Sequence, residues 1–280
     1  MATPEVKKPK YYALKGGTPN PATLVTDRAV FKEAYVFIPR RAAKDITASY
    51  LPNWEGTRGW VLARPLSGFA ETFSQMAMEV SPGGGSDNPE EDPGAECVIF
   101  ILDGSGVLSF NGESHRMDPG GYAYLPPGME YSFRNLSDTP VWFQWIRKRY
   151  QKVPGLDVPE AFVTNEQDVT PTIMAESDGR WMTTRFVDSA DMRHDMHVTI
   201  VTFEAGGTIP FAETHVMEHG LYVLEGKAVY RLNDDWIEVE EGDFMWLRAF
   251  CPQACYEGGP HRFRYLLYKD VHRQMPLSLP

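Results

Sequence analysis

Between residues 211 and 220 the chain reads "FAETHVMEHG", which places two glutamates and two histidines within seven positions, just after a Gly-Gly pair and just before an apolar run. Carboxylates and imidazoles at such spacing either decorate a charged surface turn or supply the donors of a divalent ion. Glu213 and His215 are two apart, so on a strand they share a face, roughly 6 to 7 Å apart along it. Val216, Met217 and Glu218 are enough for a tight turn, which would return His219 to the start of the next strand beside the first two donors. Glu218, of the other parity, is expected to point outward. A fourth candidate is Gln253 in "AFCPQACY", because a closed barrel would lay its segment across from the first two strands. One carboxylate, two neutral imidazoles and an amide oxygen make a mixed O/N set without thiolate, suited to Mn²⁺ or Fe²⁺ rather than to structural zinc. Four protein donors leave two coordination positions for a small chelating substrate.

The elements that must hold these residues are strands. Twenty-four glycines and 22 prolines interrupt short stretches rich in Val, Ile, Phe, Tyr and Trp, and long helical periodicity is scarce. The chain also repeats itself: residues 97–135 lie on residues 219–257 at a constant offset of 122 without a gap, with Gly104 on Gly226, Gly120 on Gly242, Tyr122 on Phe244 and Tyr124 on Trp246. A strand-turn-strand plan used twice predicts an all-β protein of two tandem β-barrels or jelly rolls. The first domain is placed at residues 1–150 with an N-terminal extension and the second at 151–280, the join falling in the proline-rich, acidic stretch from about 150 to 180. "AYVFIPRR" and "FSQMAMEV" read as strands that cover or extend the first barrel, "PNWEGTRG" as a turn, and "PGGGSDNPEEDPG" as a flexible acidic loop.

The spacing Gly207, five residues, Glu213, one residue, His215, three residues, His219, six residues, Gly226 resembles the first cupin motif, with Glu213 in its first histidine slot and His219 in its glutamate slot. Gln253 occupies the last histidine slot of the second motif, where Arg248 replaces the usual proline and Phe250 the usual glycine. The exchanged ligand set, the string "ETHVMEHG", and "VYRLNDDW" and "YLLYKD" downstream resemble the (S)-ureidoglycine aminohydrolases, two-domain cupins of purine (allantoin) catabolism. That resemblance implies a bicupin fold and a hydrolase releasing ammonia from (S)-ureidoglycine to give (S)-ureidoglycolate. It further implies manganese on Glu213, His215, His219 and Gln253, with Fe²⁺ or another divalent ion as the alternative. Lys269 is implied as the active-site lysine, catalytic and substrate-binding, and Tyr230 as a tyrosine near the substrate. A homo-oligomer is expected on the same ground.

The first barrel is an internal control. It keeps Pro126, Gly128 and Asn135 of the second motif, but its metal slots fall on Glu91, Pro93, Cys97 and Tyr131, which cannot make a site. We expect it to be structural. A formal charge of -11 repels phosphate backbones and anionic lipids, so neither nucleic acid nor membrane is an expected partner. No apolar run is long enough to span a bilayer, the N-terminus lacks a secretory core, and the three cysteines match no common zinc spacing; a cytoplasmic protein with free thiols is expected. The partner expected is a small ureido or amino acid. Two other readings compete: a metal-dependent cupin dioxygenase, separable by oxygen uptake, and a non-enzymatic small-molecule-binding cupin, which would need no proton handler.

Overall fold

The computed structural model describes residue 11, residues 28–43 and residues 51–273. Within them the chain is almost wholly strand, with a four-residue helix at Arg40–Ala43 and one 3-10 turn at Glu166–Asp168. The repeat is realised strand for strand. Ala95–Asp103, Gly106–Phe110, Glu113–Met117, Gly121–Leu125 and Tyr131–Arg134 in the first half correspond to His219–Glu225, Lys227–Leu232, Asp235–Glu240, Phe244–Leu247 and Gln253–Glu257 in the second. The glycine punctuation has the same physical cause in both copies. Gly104 and Gly226 hold φ of 75° and 81°, and a Cβ there would meet the carbonyl oxygens of Pro140 and Arg262 at 2.4 and 2.3 Å.

The second barrel consists of an eight-stranded sheet and a four-stranded sheet. The larger runs, in spatial order, Val30–Phe31, Tyr35–Ile38, Phe244–Leu247, His219–Glu225, Phe263–Asp270, Met196–Phe203, Trp181–Arg185 and Thr172–Ile173. The smaller runs Thr208–Glu213, Gln253–Glu257, Lys227–Leu232 and Asp235–Glu240. A nine-stranded sheet, bent along the long strand Phe73–Ser86, forms the first barrel.

Parity sorts the side chains into three cores. On the large sheet Leu221, Val223, Met245, Leu247, Tyr265 and Leu267 face the interior of the second barrel. Their neighbours Tyr222, Leu224, Phe244, Trp246, Leu266 and Tyr268 face the other way, into a core shared with Val98, Phe100, Tyr122 and Trp142 of the first barrel. Burial on both faces explains why these strands are apolar throughout rather than alternating. Stacked rings cross the shared core: Phe73 on Tyr268 at 3.9 Å and Tyr122 on Phe186 at 4.0 Å between centroids.

Three local expectations are corrected. Tyr35–Ile38 does not extend the first barrel; it pairs antiparallel with Phe244–Leu247 of the second. Reciprocally, Phe162–Asn165, from the stretch before the second barrel, pairs with Gly121–Leu125 of the first. Each barrel thus covers the equivalent exposed edge of the other with a strand, which shields an otherwise unpaired row of backbone groups. "PNWEGTRG" contributes a turn only at its start, because Glu55–Ala63 is a strand paired along Phe73–Ser86. Of the acidic loop, Pro82–Ser86 belongs to that long strand and Glu90 is ion-paired with Arg147. Among the described residues no helix is long and apolar enough to cross a membrane.

Candidate active site

Glu213 ends its strand directly opposite Gln253 in the register of the small sheet, so their side chains stand about 5 Å apart at Cβ. His219 opens its strand on the large sheet, opposite Lys269. The turn between them carries His215, whose carbonyl accepts from the Phe250 N–H at 2.7 Å. Glu213, His215, His219, Gln253 and Lys269 therefore line one cavity of about 110 Å³ inside the mouth of the second barrel. His215 Nε2 stands 3.3 Å from Glu213 Oε1, and the rings of His215 and His219 are 5.0 Å apart. Clefts of about 790 and 640 Å³ run outside the 214–218 turn, past Glu71, Thr72 and Val216; the donors converge on the small cavity.

His219 is 3% exposed and its Nδ1 lies 2.9 Å from the Glu218 carbonyl. A carbonyl can only accept, so Nδ1 carries the hydrogen and Nε2 the lone pair, the tautomer a metal-ligating imidazole needs. Burial, with His215 and Lys269 nearby, depresses its pKa to about 3 and keeps the ring neutral. Burial likewise lowers Lys269, reinforced by the Arg185 cation and opposed by Glu213. Tyr230, fully buried, is held well above the usual phenol range by burial, so its hydroxyl keeps its proton and donates to Gln253 Oε1 at 3.0 Å. It stands behind Gln253 and reaches the cavity only through that amide, whose oxygen retains a second lone pair.

Among the described residues no three His, Cys, Asp or Glu side chains are already closed around a common point. The set reaches four donors only with the Gln253 amide. Its chemistry nevertheless fits a divalent ion: a carboxylate, an imidazole of fixed tautomer, a second imidazole and an oriented amide oxygen line one wall without thiolate. The corresponding pocket of the first barrel, about 200 Å³, is lined by Glu91, Pro93, Cys97 and Tyr131. There Tyr131 Oη sits 3.4 Å from Cys97 Sγ, and burial pushes the thiol up to about 12, so no thiolate donor is offered.

Glu218 reverses its expected direction. It is 6% exposed, and its carboxylate accepts from the backbone N–H groups of Glu71 and Thr72, the Thr72 hydroxyl and Trp246 Nε1, the last at 2.7 Å. Alternation applies within a strand, and residues 214–218 are not one. The side chain therefore turns into the seam between the barrels and ties the 214–218 turn, which carries His215, to the first barrel. Sequence reasoning also missed Tyr265, Thr183, Thr199 and Arg185, which line the same cavity. Parity with Lys269 along Phe263–Asp270 could have found Tyr265; the others lie on strands outside the repeat and carry no motif.

Two back-to-back barrels, each framed by paired glycines, define a two-domain cupin, and the "Cupin domain" family model matches residues 76–147 and 199–266. Within that class the chain belongs to the (S)-ureidoglycine aminohydrolase family. It is 32% identical over 273 residues to a "Probable (S)-ureidoglycine aminohydrolase" of Oryza sativa subsp. japonica, covering 96% of this chain and 84% of the relative. It is 30% identical over 275 residues to the (S)-ureidoglycine aminohydrolase of Arabidopsis thaliana, covering 96% and 88%. The crystal structure of a Pseudomonas aeruginosa protein described as glyoxylate-induced is 65% identical and superposes with a TM-score of 0.91 over 98% of this chain and 100% of that one.

Proposed function

We propose that this chain is a metal-dependent hydrolase that converts (S)-ureidoglycine and water to (S)-ureidoglycolate and ammonia, with Mn²⁺ held by Glu213, His215, His219 and Gln253. The observation that carries this reading is the lining of one small cavity by those four donors and by Lys269, in a chain of the aminohydrolase family. A bound ion would, by chelating the substrate, set the handedness of the carbon that bears both nitrogens. Tyr230 keeps the Gln253 amide oxygen oriented through its 3.0 Å hydrogen bond. The small cavity suits a small substrate. At the reacting carbon the ureido nitrogen's lone pair helps expel the amino group, and water adds in its place. One C–N bond breaks, one C–O bond forms, and the proton lost by water balances the one gained by the departing amine. Lys269, on the cavity wall, accepts and returns that proton.

Metal analysis of the purified protein, alongside ammonia release from freshly made ureidoglycine, tests the reading. Bound manganese or iron with ammonia release is expected; a metal-loaded protein that releases none refutes it. Lys269→Met is expected to abolish turnover and leave metal content intact. Unchanged turnover in that variant removes the lysine from the mechanism.

A further inference from the structure

The cavity has a polar end that the reaction as described does not use. Arg185 ends the strand Trp181–Arg185 directly opposite Thr199, and Thr199 lies opposite Leu267, two residues before Lys269 and on the same face. Thr183 stands two residues before Arg185. All three line the cavity that holds the metal donors and Lys269. Among the described residues the half-buried Arg185 guanidinium has no carboxylate within ion-pairing distance, and its hydrogen bond runs to the weak acceptor Met174 Sδ at 3.8 Å. Thr199 is 1% exposed, and its Oγ1 is buried without a hydrogen-bond partner. Buried donors in native proteins are almost always satisfied, so the unpartnered Thr199 hydroxyl, opposite a half-buried guanidinium that faces no carboxylate, marks the place of an absent acceptor on this cavity wall. The planar guanidinium fork matches a carboxylate's two oxygens, and a threonine hydroxyl can add a third donor to the same group.

We propose that Arg185 and Thr199 form the anion-recognising end of this cavity, that they bind the substrate's carboxylate, and that they confine the enzyme to free small α-substituted acids. This inference rests on the function proposed above and names two specificity-determining residues for it. Arg185 has a competing role to exclude, because its charge also acts on Lys269. A purely electrostatic action on the lysine changes kcat and the pH profile. Holding the carboxylate, an interaction present before and throughout the reaction, changes KM and ligand preference.

The test uses the metal-loaded full chain with two unreactive ligands that lack the substrate's amino group: N-carbamoylglycine and its neutral amide. Titration calorimetry of the wild type is expected to show the acid binding at least about ten-fold tighter than the amide, as befits charge-assisted hydrogen bonds. Arg185→Gln is expected to weaken acid binding by about ten- to a hundred-fold while moving amide binding and metal content little. Thr199→Val should weaken acid binding by about three- to ten-fold, and Arg185→Lys should keep an intermediate preference because the charge survives without the fork. On ureidoglycine, Arg185→Gln is expected to raise KM by the factor seen for the acid, with the larger share of the loss in KM rather than kcat. A wild type that binds both ligands equally or not at all, or an Arg185→Gln protein that keeps the wild-type acid-to-amide ratio, overturns the proposal. Should Arg185→Gln fail to fold, an unchanged ratio in both Arg185→Lys and Thr199→Val overturns it as well. A protein that shows the Arg185-dependent preference yet releases no ammonia from ureidoglycine keeps this inference and loses the proposed function; turnover with an unaltered ratio in Arg185→Gln does the opposite.

Discussion

Glu218 anchors the 214–218 turn, and replacing it by glutamine isolates that role. Both carboxylate oxygens accept only: Oε1 takes the Thr72 N–H and hydroxyl, and Oε2 takes the Glu71 N–H and Trp246 Nε1. Glutamine keeps the shape but offers a single acceptor oxygen. If that oxygen serves Thr72, the new NH₂ faces two N–H donors and leaves both without a partner. If it serves Glu71 and Trp246, the NH₂ faces the Thr72 N–H and hydroxyl, of which only the hydroxyl can reverse roles. The second orientation is the cheaper, and it strands one buried donor and replaces hydrogen bonds to a carboxylate by weaker ones to an amide. At about 1–3 kcal/mol for the stranded group, the net loss is about 2 kcal/mol. Urea unfolding followed by tryptophan fluorescence reads that loss directly, and the midpoint of thermal unfolding should fall by roughly 3–4 °C for a chain of this size. Because the Glu218 carbonyl also holds His219 Nδ1, metal affinity of the variant should fall too. A Glu218→Gln protein within about 0.5 kcal/mol of the wild type and with unchanged metal affinity would refute the claim that this carboxylate pins the turn.

Other variants probe separate links. Gly226→Ala would put a Cβ 2.3 Å from the Arg262 carbonyl at φ 81°, adding a backbone clash to left-handed strain of about 1–2 kcal/mol; urea unfolding should show a loss above 2 kcal/mol by that reckoning. Phe250 holds φ 65° with its side chain 65% exposed, in the slot where the first barrel has Gly128 at φ 74°, so Phe250→Gly should stabilise by about 0.5–1 kcal/mol, and a lower midpoint in urea refutes the strain. His197 is 5% exposed and burial, with Lys269 beside it, depresses its pKa to about 3. The unfolded chain therefore binds this proton first, and the stability it contributes, present above about pH 6.5, is lost progressively as pH falls towards 3. His197→Gln should flatten the pH dependence of urea unfolding between pH 6.5 and 5; parallel curves for the two proteins count against it.

Much of the architecture could be read from the chain because its causes are local. The offset of 122 reappears in the structure as paired left-handed turns, at Gly104 and Gly226 and again at Asn111 and Asn233, with φ of 51° and 56° at the asparagines. Turn chemistry depends on a few adjacent residues, so a copied turn is visible as copied letters. The adjacency of Glu213, His215 and His219 was legible for the same reason. Tyr35–Ile38 shows the limit. "YVFI", buried on every residue, announces a strand covered on both faces, but it contains nothing that selects Phe244–Leu247 over the equivalent edge of the first barrel. Glu218 shows another limit, since strand parity was extended across a turn that does not obey it.

Residue identity and spacing alone determined that this chain makes two copies of one barrel and that only the second carries a donor set, because those facts reside in turn residues and in alternation along single strands. Tertiary structure alone decided which edge each swapped strand covers, that Glu218 faces inward, and that Arg185 and Thr199 meet Lys269 and the four donors around one cavity. These are contacts between segments distant in sequence. The free energy of such a contact depends on what the partner segment presents, and no stretch of the chain encodes its partner's face in its own letters.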